Sequence, residues 1–325
     1  MVTFSPAKWN APKAPGLVGD YEENDRLAGA RLVTTPFSGP EDVAVGPDGE
    51  LYTGTENGSL LRITTRGNVS TVANVGGRPL GIERYGDDLL VCNADLGLQR
   101  VTLDGTVDLL TNTVGSQKLL LTNNASVAAD GTIYFTESSQ RWPLSEYSND
   151  IVEGTATGRL LRRSTDGEVA ELVPNLAFAN GVALDADESS VFVAETAKYR
   201  IHRHWLTGDK AGRTEVFLDN LPGFPDNLSF ADGIVWVGYA SPRNPQVDAM
   251  STKTWMKHIA FRLPDAVKPK ALRHGLVVGY DLEGNVAHNL QDPSGKVAIT
   301  TSARVANGSL YIGMLEDPHI AIVEL

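Results

Sequence analysis

Residues 123–138 read NNASVAADGTIYFTES: an apolar stretch, an Asp-Gly turn, then a second apolar stretch closing on small and acidic residues. Alternating apolar runs broken by Asp-Gly mark two antiparallel strands around a tight turn. The unit returns five more times, as EDVAVGPDGELYTG (41–54), GIERYGDDLLVCNA (81–94), NGVALDADESSVFVAET (180–196), DNLSFADGIVWVGYA (226–240) and TSARVANGSLYIGML (301–315). The unit starts lie 40, 42, 57, 46 and 75 residues apart, and the short intervals match one four-stranded propeller blade. A second hairpin follows most units, as in SLLRITTRGNVSTVA, LQRVTLDGTVDLLT, GRLLRRSTDGEVAELV and LVVGYDLEGNVAHNL. Each turns at a Gly-containing polar tetrad. The expected fold is all-β, a six-bladed β-propeller.

The last blade runs short, because only PHIAIVEL follows LYIGM. ARLVTTP at 30–36 is expected to supply its missing outer strand, closing the ring and removing an exposed sheet edge. Residues 1–29 are then an N-terminal extension and 30–325 the propeller. The two long intervals hold insertions at 138–158 and 241–274, both leaving after the second strand of their blades. They are expected to form a lid over the channel mouth, since long insertions in compact scaffolds usually carry function. STKTWMKHIAFRL reads as a helix, with Ser251 or Thr252 as its N-cap and Pro264 as its stop.

Composition narrows the partners. The chain has 42% hydrophobic and 21% charged residues, the balance of a soluble globular protein, with no apolar run long enough to span a membrane. A net charge of −12 argues against nucleic acid, whose affinity rests on Lys and Arg meeting phosphates. Cys92 is the only cysteine, so no intrachain disulfide exists, and its apolar run LLVCNA suits a buried thiol. The N-terminus lacks the apolar core of a secretory signal. Together these favour a reducing cytoplasm; a monomer or weak homo-oligomer is expected.

The residues that open the units carry the chemistry. Inner propeller strands line the channel, so Glu41, Asn123, Asn180, Asp226 and Asn227 are expected to ring its mouth. All five offer oxygen, which suits calcium or another hard divalent cation and not zinc. Each residue alone also fits a turn or capping role; the argument for a metal is their equivalent placement in four repeats.

The motifs GPEDVAVGPDGELYTG, GRPLGI (77–82), TNNASVAADGTIYFTES, EGTATGRLLR, FANGVAL and PGFPDNLSF resemble the six-bladed propellers of the senescence-marker-protein/gluconolactonase and strictosidine synthase-like group. The resemblance is nearest to the strictosidine synthase-like branch that includes the adipocyte plasma-membrane-associated proteins, with paraoxonase more distant. It covers about 39–325. It implies a calcium-type ion held at Glu41, Asn123, Asn180 and Asp226, with Asn227 matching a further ligand of the paraoxonase-like pattern. Where the family often has Asn-Asp, this chain has Asn124 after Asn123, a change expected to weaken the site or tune its charge.

The function the resemblance implies is metal-dependent hydrolysis of a lactone or aryl ester, a small-molecule carboxylic-ester hydrolase. A divalent cation polarises a carbonyl, and calcium's weak acidity makes a carboxylate base or nucleophile necessary, a role given to Asp226. His258, in the second insertion, is the candidate proton shuttle. Trp142, Phe224, Trp255 and Met256 are candidates for an apolar pocket wall, with Glu137 and Glu195 as polar lining. Two other readings stand beside this one: a non-catalytic ligand- or protein-binding propeller with a structural metal, and an amine–aldehyde condensing enzyme. The second is weakened because Glu316 and Glu324 match the plant synthases' catalytic Glu poorly. No Gly-x-Ser-x-Gly elbow or phosphate loop is present.

Overall fold

The computed structural model describes residues 3–264, 268 and 270–325. Positions 1–2 of the N-terminal extension and 265–267 and 269 of the second insertion lie outside the described residues. Among the described residues the strands form six four-stranded antiparallel sheets and one short two-stranded hairpin. The first strands of the sheets are Val43–Val45, Pro79–Tyr85, Thr122–Val127, Ala179–Leu184, Gly223–Ala231 and Thr300–Ala306. Each packs against the first strands of the two neighbouring sheets, and Val43–Val45 meets Thr300–Ala306. The ring is closed: a six-bladed propeller with these strands innermost.

Closure works as the sequence suggests. Arg31–Thr34 pairs antiparallel with His319–Glu324, in the register Arg31↔Ile322 to Thr34↔His319. The sixth blade therefore takes its outer strand from the start of the chain and its other three from the end.

The period-two pattern is less clean than a half-exposed sheet would give. Second strands such as Ile133–Glu137 and Ser190–Glu195 are buried at every residue. Both faces of a blade are covered by its neighbours, so each apolar cluster joins adjacent blades. Ala183, Phe192 and Ile201 of blade 4 pack with Leu228, Val237 and Val278 of blade 5, and burial of these faces is the main stabilising term. Cys92 is buried in one such cluster.

The long connections between second and third strands of blades 3 and 5, residues 138–157 and 243–274, carry short helices. The first holds α1 (Tyr147–Glu153), ended by Gly154 in the left-handed region. The second holds α2 (Pro245–Met250) and α3 (Thr254–Arg262). Helix α2 is absent from the sequence reading; Asn244 caps it by accepting from Gln246 N, with Pro245 in the first turn. Helix α3 begins later than expected. Lys253 is its N-cap and makes no side-chain cap bond, so neither Ser251 nor Thr252 plays that role. It ends before Pro264, as a proline stop requires.

The N-terminal extension is part of the lid. Ala7 N donates to Glu153 O (2.9 Å) and Trp9 N to Ser251 O (3.0 Å). Phe4 stacks on Phe261 of α3, with ring centroids 4.2 Å apart. Further on, Leu27 is fully buried among residues of blades 5 and 6, and Tyr21 reaches Tyr280. No helix among the described residues is long and apolar enough to cross a membrane.

Candidate metal centre at the channel mouth

The ligand candidates stand at a repeated backbone irregularity. The pairing of first with second strands slips between Pro79 and Ile82, Thr122 and Ala125, Ala179 and Val182, Pro225 and Leu228, and Thr300 and Ser302. Bulges of this kind re-aim side chains and end local pairing. The residues released are Leu80-Gly81, Asn123-Asn124, Asn180-Gly181, Asp226-Asn227 and Thr301. In blade 1, Glu41-Asp42 stand directly before the first strand. The second unit is therefore displaced by one residue: Leu80, and not Gly81, is the counterpart of Glu41.

In blades 1 and 3 the second member of the pair ties blade to blade. Asp42 accepts from Val43 N (2.8 Å), Ile82 N (3.1 Å) and Asn124 Nδ2 (3.2 Å), while Asn124 Oδ1 accepts from Val182 N (2.9 Å). Asn124 is thus a bridge among three blades, and its amide is needed because it both donates and accepts. Gly81 and Gly181 take the same place where the next blade comes too close for a side chain. A Cβ on Gly181 would lie 2.3 Å from Leu228 N.

The first members, together with Asn227, face a different environment. Glu41, Asn123, Asn180, Asp226 and Asn227 are all buried. Oδ1 of Asn123, Asn180, Asp226 and Asn227 is enclosed with no hydrogen-bond partner, as is Asn227 Nδ2. Leaving a buried polar atom unpaired costs about 1–3 kcal/mol, so four such oxygens on adjacent inner strands call for a shared positive partner. Among the described residues no three His, Cys, Asp or Glu converge into a cation cage. A cation here would depend on amide oxygens as much as on the two carboxylates. Hard oxygen donors of that mixture fit calcium.

The electrostatics agree. Burial raises Glu41 to about 7 against the opposing pull of Arg78. Burial and the charge of Glu41 push Asp226 well above the ordinary carboxylate range. Two buried carboxylates that repel each other are stabilised by a cation between them. Arg78, unremarked in the sequence, supplies part of that charge: it donates to Glu41 Oε2 (3.2 Å) and Gly39 O (2.9 Å).

The remaining candidates are spread over the lid and the blades. His258 lies on α3 with its ring edge-on to Phe4, centroids 5.5 Å apart. Trp142 is buried in the lid and donates Nε1–H to Glu153 Oε2 (2.7 Å). Trp255 is exposed and Met256 half-buried on α3. Phe224 packs edge-on to Tyr199. Glu137 accepts from Leu120 N (2.7 Å) and Arg159 Nε (2.7 Å). Glu195 accepts from Ala177 N (3.0 Å), Arg200 Nε (2.6 Å) and His202 Nε2 (2.7 Å). Both carboxylates are committed to their own blades and do not serve as free channel lining.

Tyr147 is the residue the sequence reading passed over. It opens α1, 6.5 Å ring to ring from Phe178. Its phenol is raised by burial and, less, by the charges of Glu316, Asp226 and Glu41. Ile151 and Leu144 of the same insertion pack on Leu80, Leu121 and Phe178, seating α1 on the rim. A tyrosine in EYSNDIVEG carries no motif, so only the folded ring reveals it.

A lidded six-bladed propeller with an oxygen-lined mouth is the class these features define. The strictosidine synthase family profile matches residues 123–209, and the strictosidine synthase-like N-terminal profile matches 19–63. The adipocyte plasma membrane-associated protein of Salmo salar is 37% identical over 342 residues, covering 96% of this chain and 82% of that one. Among solved structures, a gluconolactonase from Xanthomonas campestris superposes with a TM-score of 0.68 at 18% identity, covering 92% of this chain and 91% of that one. A regucalcin from Agrobacterium tumefaciens, described as a calcium-binding protein, superposes with a TM-score of 0.63 at 14% identity, covering 89% and 90%. The chain belongs to the strictosidine synthase-like family, in the branch of the adipocyte plasma membrane-associated proteins.

Proposed function

We propose that this protein is a calcium-dependent hydrolase of lactones or aryl esters, acting at the mouth of the propeller. The observation that carries the reading is the set of buried, partnerless oxygens on Asn123, Asn180, Asp226 and Asn227 beside Glu41. These five residues would hold the cation, and the same fold in a gluconolactonase and a calcium-binding regucalcin supports the assignment. When bound, the ion supplies a positive charge that polarises an ester or lactone carbonyl.

The chain's own residues do the rest. Asp226 is the base or nucleophile of the site, a carboxylate whose buried setting raises its basicity. Arg78 holds Glu41 in place. Helix α1 screens the mouth from water and presents Tyr147 to the substrate. His258 has no part in this reading, because it packs on Phe4 at the lid.

The test is hydrolysis of a panel of lactones and phenyl esters by protein stripped with a chelator and then given calcium. Turnover restored by calcium, and abolished in Glu41→Gln and Asp226→Asn with the β-sheet spectrum intact, is the expected result. Full activity in both variants would sink the assignment. One observation favours a second reading, a binding propeller: the Arg78–Glu41 pair already neutralises one carboxylate. Calcium binding without turnover on any ester would select it.

A further inference from the structure

Among the described residues, Asn227 carries the only buried side-chain amide with neither end hydrogen-bonded: Oδ1 and Nδ2 are both enclosed and both without a partner. The other amides of the mouth have committed their donors. Asn123 Nδ2 donates to Ser138 Oγ (2.9 Å), Asn124 Nδ2 donates to Asp42 Oδ2 (3.2 Å), and Asn180 donates to the Asp226 carboxylate. The residues at the place of Asn227 in other blades are accounted for as well. Asp42 and Asn124 bond across blades, Gly81 and Gly181 have no side chain, and Ser302 Oγ accepts from Gly313 N (3.2 Å).

The backbone that carries this amide is held by blade 4. Strand pairing slips between Pro225 and Leu228, and such a bulge re-aims the side chains it releases. Thr196 Oγ1 donates to Pro225 O (2.6 Å). Gly181 lies so close that a Cβ on it would stand 2.6 Å from the carbonyl carbon of Asn227. A buried amide on a fixed backbone, bonded to nothing, destabilises the fold, so its purpose lies outside folding. A cation can take Oδ1, but an amide N–H2 turns from positive charge and needs an acceptor. Asp226 precedes it and is the base of the proposed site. The acceptor that belongs beside that base is the carbonyl oxygen of the substrate.

We propose that Asn227 is a catalytic residue of the mouth, its Nδ2–H hydrogen-bonding the carbonyl oxygen of an ester or lactone as that oxygen becomes an oxyanion. The inference deepens the hydrolase reading and rests on it. A water oxygen attacks the carbonyl carbon and gives a proton to Asp226. The C=O electron pair moves onto oxygen, where Asn227 donates to it without transferring its own proton. The pair then returns, the bond to the leaving oxygen breaks, and that oxygen takes the proton from Asp226. A donor fixed in advance where charge develops stabilises the transition state more than the ground state.

The test compares Asn227→Asp and Asn227→Ala with the wild-type full chain. Calcium affinity and melting temperature are measured first, then kcat and KM at saturating calcium on the most responsive lactone or phenyl ester. Binding of phenyl methylphosphonate, whose anionic tetrahedral P–O mimics the oxyanion, is measured by calorimetry. Asn227→Asp keeps an oxygen for the cation and removes the donor. Its calcium affinity should at least equal that of wild type, while kcat falls about 100-fold or more and KM stays within about twofold. Asn227→Ala removes two orphaned atoms, so its calcium-free melting temperature should be no lower than wild type, which a structural residue would not show. Phosphonate binding should weaken about tenfold or more in both variants. The inference is overturned if either variant keeps kcat or phosphonate binding within about threefold of wild type. It is equally overturned if kcat falls only in step with calcium affinity, or if Asn227→Ala melts well below wild type without calcium. A wild-type chain that hydrolyses no ester and binds no phosphonate refutes the hydrolase reading and this inference with it. Wild-type turnover that survives in Asn227→Asp refutes the inference alone.

Discussion

Arg78 of blade 2 and Glu41 of blade 1 form an ion pair across the blade boundary inside the mouth, 3.2 Å apart, with both side chains nearly inaccessible. The pair gives Glu41 a partner when no cation is present, while Oδ1 of Asp226 and of each of the three amides has none. A guanidinium beside a cation site also repels the cation. Arg78→Met should therefore tighten calcium binding by about tenfold and lower the melting temperature of the calcium-free protein, because it leaves Glu41 buried and uncompensated. Calorimetric titration and melting with and without chelator check both halves. Weaker calcium binding in the variant would mean that Arg78 serves the site by fixing Glu41 and not by competing with the ion.

Tyr147 carries the second prediction. It opens the helix that is seated on the rim, its ring against Phe178, and its phenol feels the charges of Asp226 and Glu41, while the residue is 41% exposed. On the hydrolase reading, a hydroxyl there would donate to substrate without serving the fold. Tyr147→Phe should lower kcat/KM on a responsive lactone or ester by about tenfold, the worth of one hydrogen bond to a developing charge. Calcium affinity and melting temperature should stay at wild-type values. A loss of calcium binding would instead make Tyr147 part of the metal centre.

Much of this centre was legible because the repeat marks it. The unit places Glu41, Asn123, Asn180 and Asp226 at equivalent positions, and a ring turns equivalent positions into neighbours. Blade 2 was read one residue late because Leu80 stands where the other blades carry a polar side chain, leaving nothing polar to mark the bulge. Asn124 looked like a weakened ligand, yet on the pleated bulge it points away from Asn123 and bridges Asp42 and Val182. Helix α2 escaped notice because SPRNPQV reads as a proline-rich loop, although its Asn-Pro pair is a cap and first turn. Pairings such as Arg78–Glu41 depend on ring closure, which no local pattern encodes.

Two buried carboxylates should tilt stability with pH in opposite directions. Burial alone would raise Glu195, but hydrogen bonds from His202, Arg200 and Ala177 outweigh it and hold the group at about 2. Its pKa is depressed in the fold, so its contribution is full above about 4.5 and is lost as pH falls toward 2, at most about 3 kcal/mol. Glu195→Gln should accordingly lower the melting temperature at pH 7 and approach wild type in acid. Asp150 is raised to about 7, by burial first and then by Glu153, against the bond from Ser139. Here the folded state holds its proton longer than the unfolded chain, so the penalty grows between about pH 4 and 7. Asp150→Asn should gain stability over wild type across that window and match it below. Melting curves for Glu195→Gln from pH 2 to 7 and for Asp150→Asn from pH 4 to 8 decide the matter, and curves parallel to wild type across these ranges would refute the respective assignment.

The N-terminal segment behaves as a strap that makes two insertions into one lid. Ser5 N donates to Glu153 Oε1 (2.5 Å), Ala7 N to Glu153 O (2.9 Å), Lys257 Nζ to Ala7 O (2.8 Å) and Trp9 N to Ser251 O (3.0 Å). These bonds join α1, α3 and the end of α2, while Phe4 packs on both Phe261 and Trp142, which also touch each other. Glu153 keeps Arg141, Trp142 and Thr155 if the strap is lost, but Lys257 loses its shortest partner. A chain lacking residues 1–9 should therefore keep its propeller and loosen its lid. Amide exchange in 147–153 and 254–262 should speed up about tenfold or more, the range of local opening, with inner-strand amides such as those of 179–184 unchanged. Phe4→Ala should show the same effect more weakly, through the cavity it leaves against Phe261. Exchange rising equally in lid and blades would show that the strap supports the whole ring, and unchanged exchange in the lid would show that α1 and α3 hold each other without it.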